Sequence, residues 1–143
     1  MSAWVVLVAA ALVQTPVVPP GGVFTTIEQG TTTYVDMPRQ VVVRTSDAWA
    51  SLWKSHSPTQ PVPRVDFSTT MVAAVFMGAR PTAGFSTEIL RVRPEGPGGG
   101  VVVEYKESEP RRGAISAQVV TAPYHIVAIP KRDGEVTFQK TEK

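Results

Sequence analysis

An uninterrupted apolar run, MVAAVFMG at Met71–Gly78, constrains the fold of this 143-residue chain more than any other segment. Successive side chains of a β-strand point to opposite faces, and both faces of this run are apolar. Such a run predicts a central strand that other parts of the chain cover on both sides. The chain is therefore expected to build a β-rich domain around this strand.

The remaining segments predict short strands and a single helix. Trp49, Leu52 and Trp53 have the i, i+3, i+4 spacing of an amphipathic helix, and Ser46 is a suitable N-cap, so we predict a helix over 47–56. Asp133-Gly134 predicts a hairpin turn. The predicted strands are Val23–Ile27, Thr31–Val35, Gln40–Arg44, Met71–Gly78, Gly84–Arg93, Val101–Lys106, Ala117–Ile129 (interrupted by Pro123) and Val136–Gln139. About eight strands and one helix indicate a mainly-β domain, bordering on α+β, in a single antiparallel sheet or sandwich.

The composition argues against most enzymes and cofactor proteins. The chain has no Cys, which excludes disulfides, thiolate catalysis and Cys-ligated metals, and its two His residues match no zinc spacing. Ser86 lacks the second glycine of a nucleophile elbow, and His56 is expected to cap the helix as a cation. A net charge of +2 is too small for a nucleic-acid footprint. We therefore expect no catalytic residues, no metal, no cofactor and no nucleic-acid partner.

Proline content bears on stability. The chain has 13 Pro and lacks both Asn and Cys. Stiffened loops and missing thermolabile residues predict a thermostable protein, and biased codon usage in a GC-rich genome is the alternative interpretation.

The first 22 residues predict a targeting segment followed by a leader. Residues 1–13, MSAWVVLVAAALV, are apolar after Ser2 and have the length of a signal-peptide core, with an A-x-A-like site at Ala9–Ala11. Residues 14–22, QTPVVPPGG, form a Pro/Gly leader. A retained anchor and a first element of the fold are the alternatives. We expect an exported domain over 23–143, in contact with a membrane only through an uncleaved N-terminal segment.

The segment Gly78–Phe85 is the most informative candidate for binding. It joins two predicted strands with a rigid proline, flexible glycines and an aromatic residue, so it is expected to be preshaped. We predict that this loop and the segment Pro123–Tyr124 hold a partner protein. The alternative is a tight connection with Phe85 in the core. The candidate binding residues are Arg80, Pro81, Thr82, Gly84, Phe85, Pro123 and Tyr124.

Four segments in order resemble the C-terminal domain of the protease complex subunit PrcB family. They are Val65–Ser68, Met71–Gly78, Arg80–Ser86 and Thr121–Pro130, preceded by the W-x-x-L-W pattern of Trp49–Trp53, and the resemblance covers Ser46–Phe138. It implies an exported or surface protein with a non-catalytic accessory role, in which it stabilises a protease. It supplies no catalytic residues, and the chain lacks the Cys of a lipoprotein anchor.

Two alternative functions remain at this point. Pro81–Phe85, Gly96–Gly99 and Ala122–Tyr124 are similar in order to the three loops of chagasin-type cysteine-protease inhibitors, which lie at one end of a β-sandwich. This likeness predicts an inhibitor. A small-ligand-binding β-sandwich with a pocket lined by aromatic side chains is the other alternative.

Overall fold

The computed structural model describes residues 23–142, whose seven strands and one helix form three layers. The helix covers one face of a four-stranded sheet, and a three-stranded sheet covers the other face. The elements are β1 (Thr25–Gly30), β2 (Arg39–Val43), α1 (Ser46–His56), β3 (Thr70–Phe76), β4 (Ser86–Glu95), β5 (Gly100–Ser108), β6 (Tyr124–Pro130) and β7 (Val136–Thr141). The mainly-β domain with one helix is confirmed, and the predicted signal segment and leader lie outside the described residues.

The first sheet has the order β1-β6-β3-β2, and all its pairs are antiparallel. Every residue of β3 is buried, because its two faces serve two different cores. Val72, Ala74 and Phe76 pack in the core beneath α1, whereas alternate residues of the same strand pack against the second sheet. The apolar run at 71–78 thus forms the doubly covered strand that its pattern predicts.

The helix begins one residue earlier than predicted, because Thr45 and not Ser46 is its N-cap. The Thr45 hydroxyl accepts the backbone N–H of Ala48 at 3.2 Å. Trp49, Leu52 and Trp53 are buried as expected. The indole N–H groups of the two tryptophans donate to backbone carbonyls of the proline-rich connection after the helix, at 2.7 and 3.1 Å, so they hold this connection against α1.

The second sheet has the order β4-β5-β7, and its β5–β7 pair is parallel. The hairpin predicted at Asp133-Gly134 is therefore wrong, because β6 and β7 belong to different sheets and the segment between them crosses from one to the other. Gly134 has an ordinary φ and is needed for close approach instead. Its N–H donates to the carbonyl of Gly99 at 3.0 Å, and a Cβ at Gly134 would lie 2.3 Å from a backbone atom of Gly99.

Two of the predicted strands differ in the structure. Thr31–Val35 is a connection, because the Thr33 hydroxyl accepts the N–H of Val35 at 3.1 Å and so competes with strand pairing. Ala117–Ile129 becomes a strand only at Tyr124, directly after Pro123, which has no N–H to donate to a ladder. Residues 109–123 consequently form a long connection without strand structure apart from an isolated bridge at Thr121.

Candidate functional site

Three connections meet at one end of the domain. In the antiparallel first sheet, β1 and β3 end where β2 and β6 begin, as the pairs Gly30–Tyr124 and Arg39–Phe76 show. The connections 31–38, 77–85 and 109–123 all emerge there. Helix α1 ends at the same place, since the carbonyl of His56 accepts the N–H of Tyr34 at 3.1 Å. We call this end the loop end.

Two of these connections are joined to each other by hydrogen bonds. Arg80 and Thr121 exchange both backbone hydrogen bonds, at 2.6 and 2.9 Å. The N–H of Ala83 donates to the carbonyl of Ala117 at 3.0 Å, and the Thr121 hydroxyl donates to the carbonyl of Thr82 at 2.9 Å. We call residues 80–85 and 109–121 together the paired-loop surface.

The five predicted binding residues of the first loop all lie on this surface. Pro81 and Gly84 are exposed, and Gly84 has a φ of +97°, a conformation that favours glycine. Thr82 and Phe85 are half-buried, and Phe85 belongs to neither core. The guanidinium of Arg80 lies 5.6 Å from the centre of the Phe85 ring, a cation–π distance.

The other two predicted binding residues are buried. The carbonyl of Pro123 accepts the N–H of Met77 at 2.9 Å, which places Pro123 beside the start of the 77–85 connection. The Tyr124 ring lies in the core beneath α1, stacked with Phe76. The structure therefore brings Pro123 next to the paired-loop surface and places the Tyr124 side chain in a different environment.

Sequence reasoning missed the exposed aliphatic residues of the second loop. Ile115 is fully exposed, and Val119 and Val120 are 53% and 72% exposed. The prediction of a strand over 117–129 included Val119 and Val120, and alternate residues of such a strand are expected to be buried. Pro123 was the signal that could have revealed them. It has no N–H for a strand ladder, so it indicates that strand pairing begins only after it and that a long connection precedes it.

A polar cavity of about 590 Å3 also opens at the loop end. It lies between the end of β1, the 31–38 connection and the end of α1. Its lining consists of hydroxyl, amide and aromatic side chains around one carboxylate, contributed by Glu28, Thr32, Thr33, Tyr34, His56, Ser57, Thr59, Gln60 and Tyr124.

Three side chains form a hydrogen-bonded cluster in this cavity. Nε2 of His56 lies 2.8 Å from Oε1 of Glu28, and the Tyr124 hydroxyl donates a short hydrogen bond to the same oxygen. Burial, followed by the contact with Glu28, raises the pKa of Tyr124, so its hydroxyl stays a donor. Nδ1 of His56 lies 2.6 Å from Oγ1 of Thr33. His56 lies in the last turn of α1, as expected, and it is only 1% exposed, which makes it a buried partner of Glu28.

The three loops of the inhibitor-like pattern do not share one end. Pro81–Phe85 and Ala122–Tyr124 lie at the loop end, whereas Gly96–Gly99 turns the β4–β5 hairpin. The length of β4 separates the glycine loop from the other two, because Ser86 pairs with Ser108 at one end and Glu95 with Gly100 at the other.

Among residues 23–142, no three His, Asp or Glu side chains are grouped closely enough to hold a metal ion. The single helix of the described part is too short and too polar to cross a membrane.

A family model matches part of the chain. The family model described as PrcB C-terminal matches residues 71–130, which run from β3 to β6 and include the whole paired-loop surface. Glu28 and His56 lie outside the matched residues. Neither the curated proteins nor the solved structures give a match. The match over residues 71–130 confirms the resemblance of this chain to the PrcB C-terminal family.

Proposed function

We propose that this protein is an exported, non-catalytic subunit that binds and stabilises a protease through the paired-loop surface. The observation that carries the proposal is the exposure of Ile115, Val119 and Val120 on a connection held in place by backbone hydrogen bonds. A single exposed aliphatic side chain is ordinary, but several close together on one loop are typical of an interaction site.

The rigidity of the surface favours binding. The 77–85 connection begins at the end of the buried strand β3, and Arg80 and Thr121 join it to the second loop. A loop that is already ordered loses less conformational entropy when it binds a partner. A preorganised surface on rigid strands is how binding loops commonly work.

The chemistry of the surface indicates the kind of partner. Arg111 and Arg112 are exposed beside the aliphatic residues. Their charges favour a partner whose contact surface is apolar with acidic residues at its rim. The family match supports a partner within a protease complex, because it covers both loops.

Affinity capture with loop variants tests this proposal. The tagged protein is incubated with native envelope and secreted fractions, and bound proteins are identified by mass spectrometry. We expect a protease to be enriched by the wild type and lost with the double variant Ile115→Ser/Val120→Ser. The matched control is Val62→Ser/Leu90→Ser, which changes exposed aliphatic residues outside the paired-loop surface and should retain the protease. Equal capture by both double variants, or no protease with the wild type, would overturn the proposal.

A second assay separates a stabiliser from an inhibitor. The captured protease is purified, and its rate and its lifetime at elevated temperature are measured with and without this protein. A stabilising subunit lengthens the lifetime and leaves the initial rate unchanged, because binding to the folded state shifts the unfolding equilibrium. A falling rate with no gain in lifetime would contradict the stabilising role.

A further inference from the structure

We infer that the cavity at Glu28 is a binding site for a primary ammonium group, such as a lysine side chain or the amino terminus of a peptide. This inference concerns a different site from the paired-loop surface and does not depend on the proposed function. Two of its central residues, Glu28 and His56, lie outside the family match.

The carboxylate of Glu28 is oriented in advance. His56 and the Tyr124 hydroxyl both contact Oε1, and within residues 23–142 no hydrogen bond goes to Oε2. The Glu28 side chain is 32% exposed, so it reaches the cavity while two buried groups hold it. A carboxylate fixed in this way offers one open oxygen to a ligand without first losing rotamer freedom.

The charge of the cavity favours a cation. Among the described residues, no lysine or arginine lines it. The Thr33 hydroxyl lies 2.6 Å from Nδ1 of His56 and donates to the carbonyl of the same residue at 3.3 Å, so His56 is held between Thr33 and Glu28. Glu28 is the one acidic side chain among the described residues of the lining.

The walls of the cavity suit the three N–H donors of an ammonium group. Thr32, Ser57 and Thr59 supply hydroxyl oxygens, and Gln60 supplies an amide oxygen. The Tyr34 ring is 73% exposed and can cover a bound cation with its face. The volume of about 590 Å3 lies within the range of small-molecule sites.

A titration followed by heteronuclear NMR on the full chain tests the inference. The probes are Nα-acetyl-lysine amide, glycylglycine amide and the neutral analogue Nα-acetyl-norleucine amide, with glucose as a polar uncharged probe. We expect saturable shifts of the amide signals of Thr33, Tyr34 and Ser57 with at least one of the two amines. The stronger amine identifies the source of the ammonium group. Equal shifts with norleucine amide, a response to glucose alone, or no response to either amine at tens of millimolar would overturn the inference.

Three substitutions test whether the amine binds in the cavity at Glu28. Glu28→Gln keeps an oxygen that can accept from His56 and Tyr124 but loses the charge, so the affinity for the amine should fall at least about tenfold. Glu104→Gln removes a carboxylate that pairs with Arg93 on the second sheet and should leave the affinity unchanged. If Glu28→Gln does not fold, Tyr34→Ala changes an exposed side chain of the same cavity and should weaken binding several-fold. Unchanged affinity in a folded Glu28→Gln variant would overturn the inference. If Glu28→Gln does not fold, unchanged affinity in Tyr34→Ala would overturn it.

Discussion

Nδ1 of His125 accepts the backbone N–H of Ile89 at 2.8 Å, and this bond links β6 in the first sheet to β4 in the second. Since Nδ1 is an acceptor, the hydrogen of the neutral ring is on Nε2, which donates to the Thr26 hydroxyl at 2.9 Å. Protonation of Nδ1 would point two N–H groups at each other. Burial lowers the pKa of His125, although the nearby Glu88 opposes this shift.

The stability of the domain should therefore fall in mild acid. The pKa of His125 is lower in the folded state than its ordinary value of 6.5, so the unfolded chain binds the proton more readily. The contribution of His125 to the free energy of unfolding is complete above about pH 6.5 and is lost as the pH falls toward the folded pKa, with a slope of at most about 1.4 kcal/mol per pH unit. Urea denaturation between pH 5 and pH 8 measures this slope.

His125→Asn is the control for this prediction. The Asn Oδ1 can still accept the N–H of Ile89, but the side chain does not titrate. The variant should be less stable at pH 8 and should lose less stability between pH 8 and pH 5 than the wild type. Parallel pH curves for the two proteins would show that His125 is not the titrating group.

Removal of the Tyr124 hydroxyl should destabilise the fold. Tyr124→Phe keeps the ring beneath α1 but deletes a hydrogen bond to the carboxylate of Glu28, so we expect a loss of about 1.5–3 kcal/mol. Tyr105→Phe is the matched control, because Tyr105 is also buried and its hydroxyl has no hydrogen-bond partner among residues 23–142. Equal losses in urea denaturation would mean that the contact with Glu28 is not stabilising.

A methyl group at Gly134 should disrupt the crossover between the sheets. The added Cβ would lie 2.3–2.4 Å from backbone atoms of Gly99 and Gly100, which cannot move away as a flexible side chain could. We expect Gly134→Ala to cost about 1–3 kcal/mol, as overpacking generally does. Gly98→Ala, in the neighbouring hairpin, meets nothing within 4 Å and should be nearly neutral in thermal denaturation. A stable Gly134→Ala variant would contradict the close approach of these backbones.

The planar shape of the Arg44 guanidinium should contribute more to the stability of the fold than its positive charge does. Its two terminal nitrogens donate to the carbonyls of Arg132 and Gly134, at 2.5 and 2.7 Å, and so hold the crossover against the end of β2. Arg44→Lys keeps the charge but loses the planar fork, so we expect a loss of about 1–2 kcal/mol. Arg39→Lys, at the exposed start of β2, should change the free energy of unfolding by less than about 0.5 kcal/mol. Equal effects of the two substitutions would show that the fork is dispensable.

The elements that the sequence predicts well are those with a strong local pattern. The run at 71–78 forms β3 because both of its faces are apolar, and the spacing of Trp49, Leu52 and Trp53 places three buried side chains on one face of α1. The parallel pairing of β5 with β7 was not predictable in the same way. It depends on which sheet β7 joins after the crossover, and tertiary packing decides this rather than a local sequence pattern.

The candidate site was predictable only in part. The loop at 80–85 has local signals in its proline and glycines, and the structure shows it joined to a second loop. The cluster of Glu28, His56 and Tyr124 could not be read from the chain, because its hydrogen bonds join β1, α1 and β6, which are far apart in sequence. A buried histidine at a helix end and an exposed one look alike in sequence.

Hydrogen–deuterium exchange on the captured complex shows which part of this protein the partner covers. We propose that the partner covers the paired-loop surface. Free and bound protein are compared peptide by peptide. We expect slower exchange in residues 80–85 and 109–121 in the complex, with little change in β7 and the β4–β5 hairpin at the far end. Protection confined to β7 or to that hairpin, with unchanged exchange in the two loops, would contradict it.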